Sequence, residues 1–196
     1  MRTTRHSGFS VIELMVTVVV MAILAGIALP NFRDFMHRNA VTTATNHLLA
    51  DIQYARGEAV AQHMQVTVCA STNGIACASS APFEGGWVVV CNAPAAAATT
   101  AGTALSLGPT CPAANTLMRV GQPTAGMTMR GSSALTFQST GSLPDGSAVA
   151  TVRVCAKSSD SDSLGTNTTK VPGSLLRVDP SGRPYASAMT ATDTCN

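Results

Sequence analysis

Gly8-Phe9-Ser10-Val11-Ile12-Glu13-Leu14-Met15 opens the longest apolar run of the chain, which continues to Leu29 and ends at Pro30. Residues 9–29 are 21 positions, and at 1.5 Å rise per residue a helix of that length spans roughly 31 Å, about the hydrocarbon thickness of a bilayer. The segment is therefore read as a membrane-crossing helix. A carboxylate sits inside it: on insertion scales a charge at the centre of such a helix costs about 2.5–3.5 kcal/mol, so an acid in this setting calls for a named partner. Glu13 is that acid.

Two plainer readings compete for the same stretch. A secretory signal peptide has a basic start, a short apolar region and a small-residue cleavage site, and Gly26-Ile27-Ala28 supplies the last of these. Against it, Glu13 would lie within the apolar region and a helical pattern runs on beyond the cut. An uncleaved anchor with an incidental acid is the other.

The combination resembles the N-terminus of type IV pilins and pseudopilins: a short basic leader (Arg2, Arg5, His6) ending in Gly8, a following Phe9, an acid as fifth residue of the mature chain, and Pro30 where many pilins carry a helix-kinking proline. The resemblance implies a processing site at Gly8 and Phe9, where a prepilin peptidase would cut and methylate the new amine. It also implies subunit assembly through Glu13 and Pro30. Cleavage would create an ammonium at Phe9 and leave Glu13 in an apolar medium. Paired between neighbouring subunits, the two charges offset the desolvation each would suffer alone.

Length and composition agree with one domain on an anchor. The chain has 196 residues, of which only 11% are charged. Both Arg2 and Arg5 fall in the leader, so the mature chain carries 10 Lys/Arg against 10 Asp/Glu. A neutral total points to no polyanionic partner. All six cysteines (Cys69, Cys77, Cys91, Cys111, Cys155, Cys195) follow the anchor, and an even count on the exported side reads as disulfides in an oxidising compartment. Fifteen connectivities are open; pairing between sequence neighbours, Cys69 with Cys77, Cys91 with Cys111 and Cys155 with Cys195, is the expectation. No C-x-x-C pair occurs, and the four histidines are scattered, so neither zinc nor another cofactor is expected.

From these patterns the chain divides into a leader (1–8), a transmembrane or filament-core helix (9–30), an amphipathic continuation (31–64) and a β-rich head (65–196). The predicted fold is α+β, pilin-like: one long N-terminal helix and a C-terminal antiparallel β head. In the continuation Val41, Ala44, Leu48, Ile52, Ala55 and Ala59 recur every three or four residues and form one apolar stripe, with Asn46, Asp51, Gln53 and Glu58 expected to turn away. Pro30 removes an amide donor inside this pattern and should kink or locally melt the helix. Strands are expected at 66–70, 87–91, 117–120, 127–130, 135–138, 149–155, 175–179 and 184–188, from short β-branched runs bounded by Gly/Pro turn signals such as Pro144-Asp145-Gly146 and Pro180-Ser181-Gly182. Ala93–Ala104 and Ser158–Thr169 read as low-complexity loops, and Asn167-Thr168-Thr169 as a chance glycosylation match.

The head is similar to the GspH/FimT family of minor pilins and pseudopilins. The resemblance rests on Ala55-Arg56-Gly57-Glu58-Ala59-Val60, Leu135-Thr136-Phe137-Gln138-Ser139-Thr140-Gly141 and Leu176-Arg177-Val178-Asp179-Pro180-Ser181-Gly182-Arg183. It implies a non-enzymatic subunit that works with other minor and major pilins to start or cap assembly at the tip of a type IV pilus. The chain would wait in the inner membrane with its head in the periplasm. The alternative is a type II secretion pseudopilin. Members that bind DNA during transformation carry a C-terminal Gly-Arg-x-Arg; Gly182-Arg183-Pro184-Tyr185 lacks the second Arg. Arg177, Arg183 and Tyr185 are the candidate DNA contacts, by counterion release and base stacking. A membrane-anchored periplasmic enzyme is the remaining alternative, and no nucleophile motif or phosphate loop supports it.

Overall fold

The computed structural model describes residues 8–78, 82–92, 106–107, 116–122, 124–132 and 134–196. The chain divides into two compact units, Met1–Met36 and His37–Asn196. A single helix, α1 (Val11–Gln62), contributes to both.

In the first unit α1 carries the apolar run. It is long and apolar enough to cross a membrane, and none of its most apolar window is buried within the chain. Of the kink or local melting expected at Pro30, the melting does not occur: the backbone is helical through positions 29–31. Proline withholds one N–H from the carbonyl four residues earlier, and intact turns on both sides hold the helix across that gap. One residue on, the Asn31 side-chain amide donates to the Ile27 carbonyl at 3.0 Å.

In the second unit the apolar stripe of α1 becomes the spine of the head. Val41, Ala44, Leu48, Ile52, Ala55 and Ala59 are all buried, because their spacing keeps them on one side of a 3.6-residue turn. The helix ends at His63, in the left-handed region at φ 53°, where the Met64 amide reaches back to the Ala59 carbonyl at 3.2 Å.

Among the described residues nine strands follow: β1 (Gln65–Ala70), β2 (Trp87–Asn92), β3 (Ser106–Leu107), β4 (Thr116–Gly121), β5 (Met127–Gly131), β6 (Ala134–Phe137), β7 (Ala150–Ala156), β8 (Ser174–Val178) and β9 (Pro184–Ala188). They form two sheets, ordered β3-β4-β2-β1-β6 and β5-β7-β8-β9. All pairings are antiparallel except β3 with β4, which is parallel. The consecutive strands β5 and β6 thus belong to different sheets. The inner faces contribute Val66, Val68, Val89, Phe137, Met129, Val152, Val154, Leu176 and Val178 to one core with the helix stripe. Alternation puts Thr136 and Arg153 on the opposite faces.

Cys69 is joined to Cys77, and Cys155 to Cys195. Cys91 is also disulfide-bonded; its expected partner Cys111 lies outside the described residues, as does the Ala93–Ala104 loop. The second bridge closes 40 residues and brings Cys195 and Met189 over Leu175 as a small outer cluster. In the chain-entropy model a loop of this size is worth roughly 3–4 kcal/mol.

Candidate assembly segment and head surface

At the N-terminus Gly8, Phe9 and Ser10 precede the helix. Phe9 is 85% exposed. The Ser10 carbonyl accepts the Leu14 amide at 3.2 Å, which starts the hydrogen-bonded ladder. Glu13 falls in the first turn, where a carboxylate is favoured by the unsatisfied amides of the helix start. Its side chain is exposed. Among the described residues the ion pairs are Arg119–Asp51 and Arg130–Glu84, so Glu13 has no counter-charge there. Around it Val11, Ile12, Leu14, Met15 and Val16 are exposed as well. In water this arrangement would be unstable. In a bilayer it is an apolar rod with one charge unanswered among the described residues.

On the head, the three stretches that carry the family resemblance converge at one place. The Arg56 Nε on α1 donates to the Gly141 carbonyl at 3.1 Å, and its Nη2 to the Ser181 carbonyl at 3.4 Å. The Leu143 amide bonds the Pro180 carbonyl at 2.9 Å. Gly182, at φ 76°, lies so close that a Cβ there would stand 1.8 Å from the Gly141 oxygen. One helix arginine thus staples two turns from two sheets. These contacts tie α1 to the turns that follow β6 and β8.

A carboxylate that the helical pattern turned outward is in fact inside. Asp51 is 8% exposed; its Oδ2 accepts the Trp87 indole N–H at 2.7 Å and its Oδ1 pairs with Arg119 at 2.9 Å. Position 51 sits between Leu48 and Ala55 on the buried side, and the indole of a buried Trp needs an acceptor. Asn46 and Gln53 are exposed as expected, and Glu58 is half-buried. The Arg119 guanidinium also lies 5.0 Å from the Tyr54 ring centre. Burial and the nearby Glu58 push the Tyr54 phenol up, with Arg119 opposing.

The candidate DNA contacts share one face. Arg177 is opposite Tyr185 in the β8–β9 register, and Arg183 precedes β9 as a diagonal neighbour of Arg177. On the same face the next strands add Arg153 and Arg130, themselves opposite each other. Part of this charge is answered. Asp193, whose pKa is lowered by the Thr190 amide and hydroxyl, also feels Arg177 and Arg153; Arg130 pairs with Glu84 at 3.0 Å. Among the described residues no group of three or more His, Cys, Asp or Glu could hold a metal ion.

The loop read as low-complexity at 158–169 carries a clamp. The Asn167 amide donates to the Thr190 and Asp193 carbonyls at 2.7 and 3.0 Å, while its oxygen accepts the Gly173 amide at 3.0 Å. Its sequon match has a structural use that composition concealed.

A long exposed apolar helix that becomes the spine of a two-sheet head defines a pilin-type subunit. The chain belongs to the family described as type II transport protein GspH, whose model matches residues 44–169. The prokaryotic N-terminal methylation motif matches residues 3–29. Two fimbrial proteins of Pseudomonas aeruginosa are each 42% identical over 45 residues, 23% of this chain and 29% of theirs; the chain thus spans under a third of the relatives it matches. Two crystal structures of the Pseudomonas aeruginosa type IV minor pilin FimU share the fold. The first has a TM-score of 0.53 at 20% identity, covering 83% of this chain and 99% of that one. The second has 0.50 at 19%, covering 79% and 99%. Pilins are structural subunits, and this chain is not an enzyme.

Proposed function

We propose that the chain is a minor pilin that is cut between Gly8 and Phe9 by a prepilin peptidase. It is held in the inner membrane by residues 9–30 with its head in the periplasm, and then enters the tip of a type IV pilus, where it starts or caps assembly with other pilins. The observation that carries this reading is Glu13, exposed in the first helical turn with no ionic partner among the described residues. The ammonium freed at a neighbour's Phe9 answers it, and Pro30 marks the end of the segment that packs. Replacing Glu13 by Ala should leave peptidase processing largely intact and strongly reduce recovery of the chain in sheared filaments. Normal incorporation and twitching in that mutant would refute the pairing.

A type II secretion pseudopilus uses the same physics. A deletion strain scored separately for surface pili and exoprotein release separates the two: loss of pili with normal secretion supports the pilus. DNA binding is a second reading, favoured by Arg177 and Tyr185 standing opposite each other with Arg183 diagonal to Arg177. A gel shift of the detergent-solubilised chain at low salt, weakened in Arg177→Ala and Arg183→Ala, is its expected signature; no shift would dispose of it.

A further inference from the structure

Two of the sheet edges in the head are handled differently. On β5 the outward Met129 amide is taken by the Glu84 carboxylate at 2.8 Å, a charged cover that keeps another strand away. On β6 no described residue provides such a cover. The Ser71 amide bonds the Gly86 carbonyl, which sets the phase of the β1–β2 ladder. Alternate residues of an antiparallel strand turn their N–H and C=O to the same side, so Val66 and Val68 serve β6 while Ala134 and Thr136 turn theirs outward. The open stretch is bounded at both ends: Ser132 bonds the Thr151 carbonyl and Gln138 the Ser142 carbonyl, at 2.9 and 2.8 Å.

Across from this edge runs the coil before β7. Ala148 and Val149 make no backbone hydrogen bond to any described residue, and Val149 is 46% exposed. Between edge and coil lies a groove of about 360 Å³ whose walls include Leu135, Leu143, Ala148 and Val149, and none of its lining residues carries a charge. The peptide groups exposed on the two walls are the template that a further extended strand needs, and the uncharged lining suits an uncharged one.

We infer that this groove takes up an extended, uncharged segment of a neighbouring pilin subunit, which adds a strand to β6 and fills the gap between the two sheets. The inference rests on the pilin reading above. The free edge of β9 is a poorer seat: Pro184 has no N–H to offer.

The test uses the full-length chain and sheared filaments, with folding checked by thermal melting. Ala134→Pro deletes an outward amide without touching the β1 ladder, and Ala148→Glu places a charge in the groove. Ala186→Pro makes the same backbone change on β9, where the amide also faces outward. Both groove variants should lose incorporation about tenfold while Ala186→Pro incorporates like the parent chain. The Thr136 amide should exchange about tenfold more slowly in filaments than in detergent. Normal incorporation of both groove variants would overturn the groove alone, and equal loss in all three would overturn its specificity. Protection already present in the isolated chain would mean that the slot is filled without a partner, which also overturns it. Absence of the parent chain from filaments would remove the pilin reading and this one together.

Discussion

The Asp51 carboxylate accepts the Trp87 indole N–H at 2.7 Å, tying the middle of the helix to the first residue of β2. The acceptor is charged and the donor fully enclosed, so the bond belongs to the class worth about 1.5–3 kcal/mol. Asp51→Ala should destabilise the detergent-solubilised chain by roughly 2–3 kcal/mol in urea titrations. Arg119, whose side chain is 51% exposed, contributes through a solvated pair, and Arg119→Ala should cost under about 1 kcal/mol. Equal losses in the two variants would mean that the ion pair, rather than the indole bond, carries the anchor.

Gly182 and Gly57 make opposite predictions. At Gly182 an added Cβ meets the Gly141 carbonyl at 1.8 Å and the backbone sits at positive φ. Gly182→Ala should therefore cost about 3 kcal/mol or more. At Gly57, inside α1, a Cβ meets nothing within 4 Å. Gly57→Ala should raise stability by about 1 kcal/mol. Thermal melting of both variants checks the pair; a harmless Gly182→Ala would contradict the close approach of the two turns.

His63 closes the helix in a conformation that costs a non-glycine residue about 1–2 kcal/mol. His63→Gly should recover about 1 kcal/mol of this, seen as a higher melting temperature. A lower one would mean that the imidazole contributes a contact worth more than the strain.

The pH response of the C-terminal turn follows from Asp193, which accepts the Thr190 amide at 2.7 Å and hydroxyl at 2.8 Å. Its folded pKa is depressed. The stabilisation is thus fully present above the unfolded value of about 3.9 and is lost as pH falls through the lower folded value. Exchange at the Thr190 amide should accelerate below about pH 4. Asp193→Asn should abolish that dependence; an unchanged acid response in the variant would assign it to another group.

Much of this architecture was legible because it rests on periodicity. The stripe from Val41 to Ala59 and eight of the nine strands follow from spacings of 3.6 and 2 residues, which burial imposes directly on sequence. Asp51 escaped because a charge is ordinarily turned outward, although its place between Leu48 and Ala55 marked the buried side. The division of β5 and β6 between sheets, the parallel β3–β4 contact and the Asn167 clamp depend on partners far away in the chain, which no local pattern encodes. The N-terminal methylation motif was readable for the opposite reason: an acid in an apolar run is a local anomaly.

The N-terminus of the exported chain decides most. Intact mass and N-terminal sequencing of material recovered from the envelope should give a chain that begins at Phe9 with one methyl group on its amine. A chain beginning after Ala28, or retaining Met1, would leave Glu13 without the ammonium it is proposed to meet and would contradict assembly through that pair.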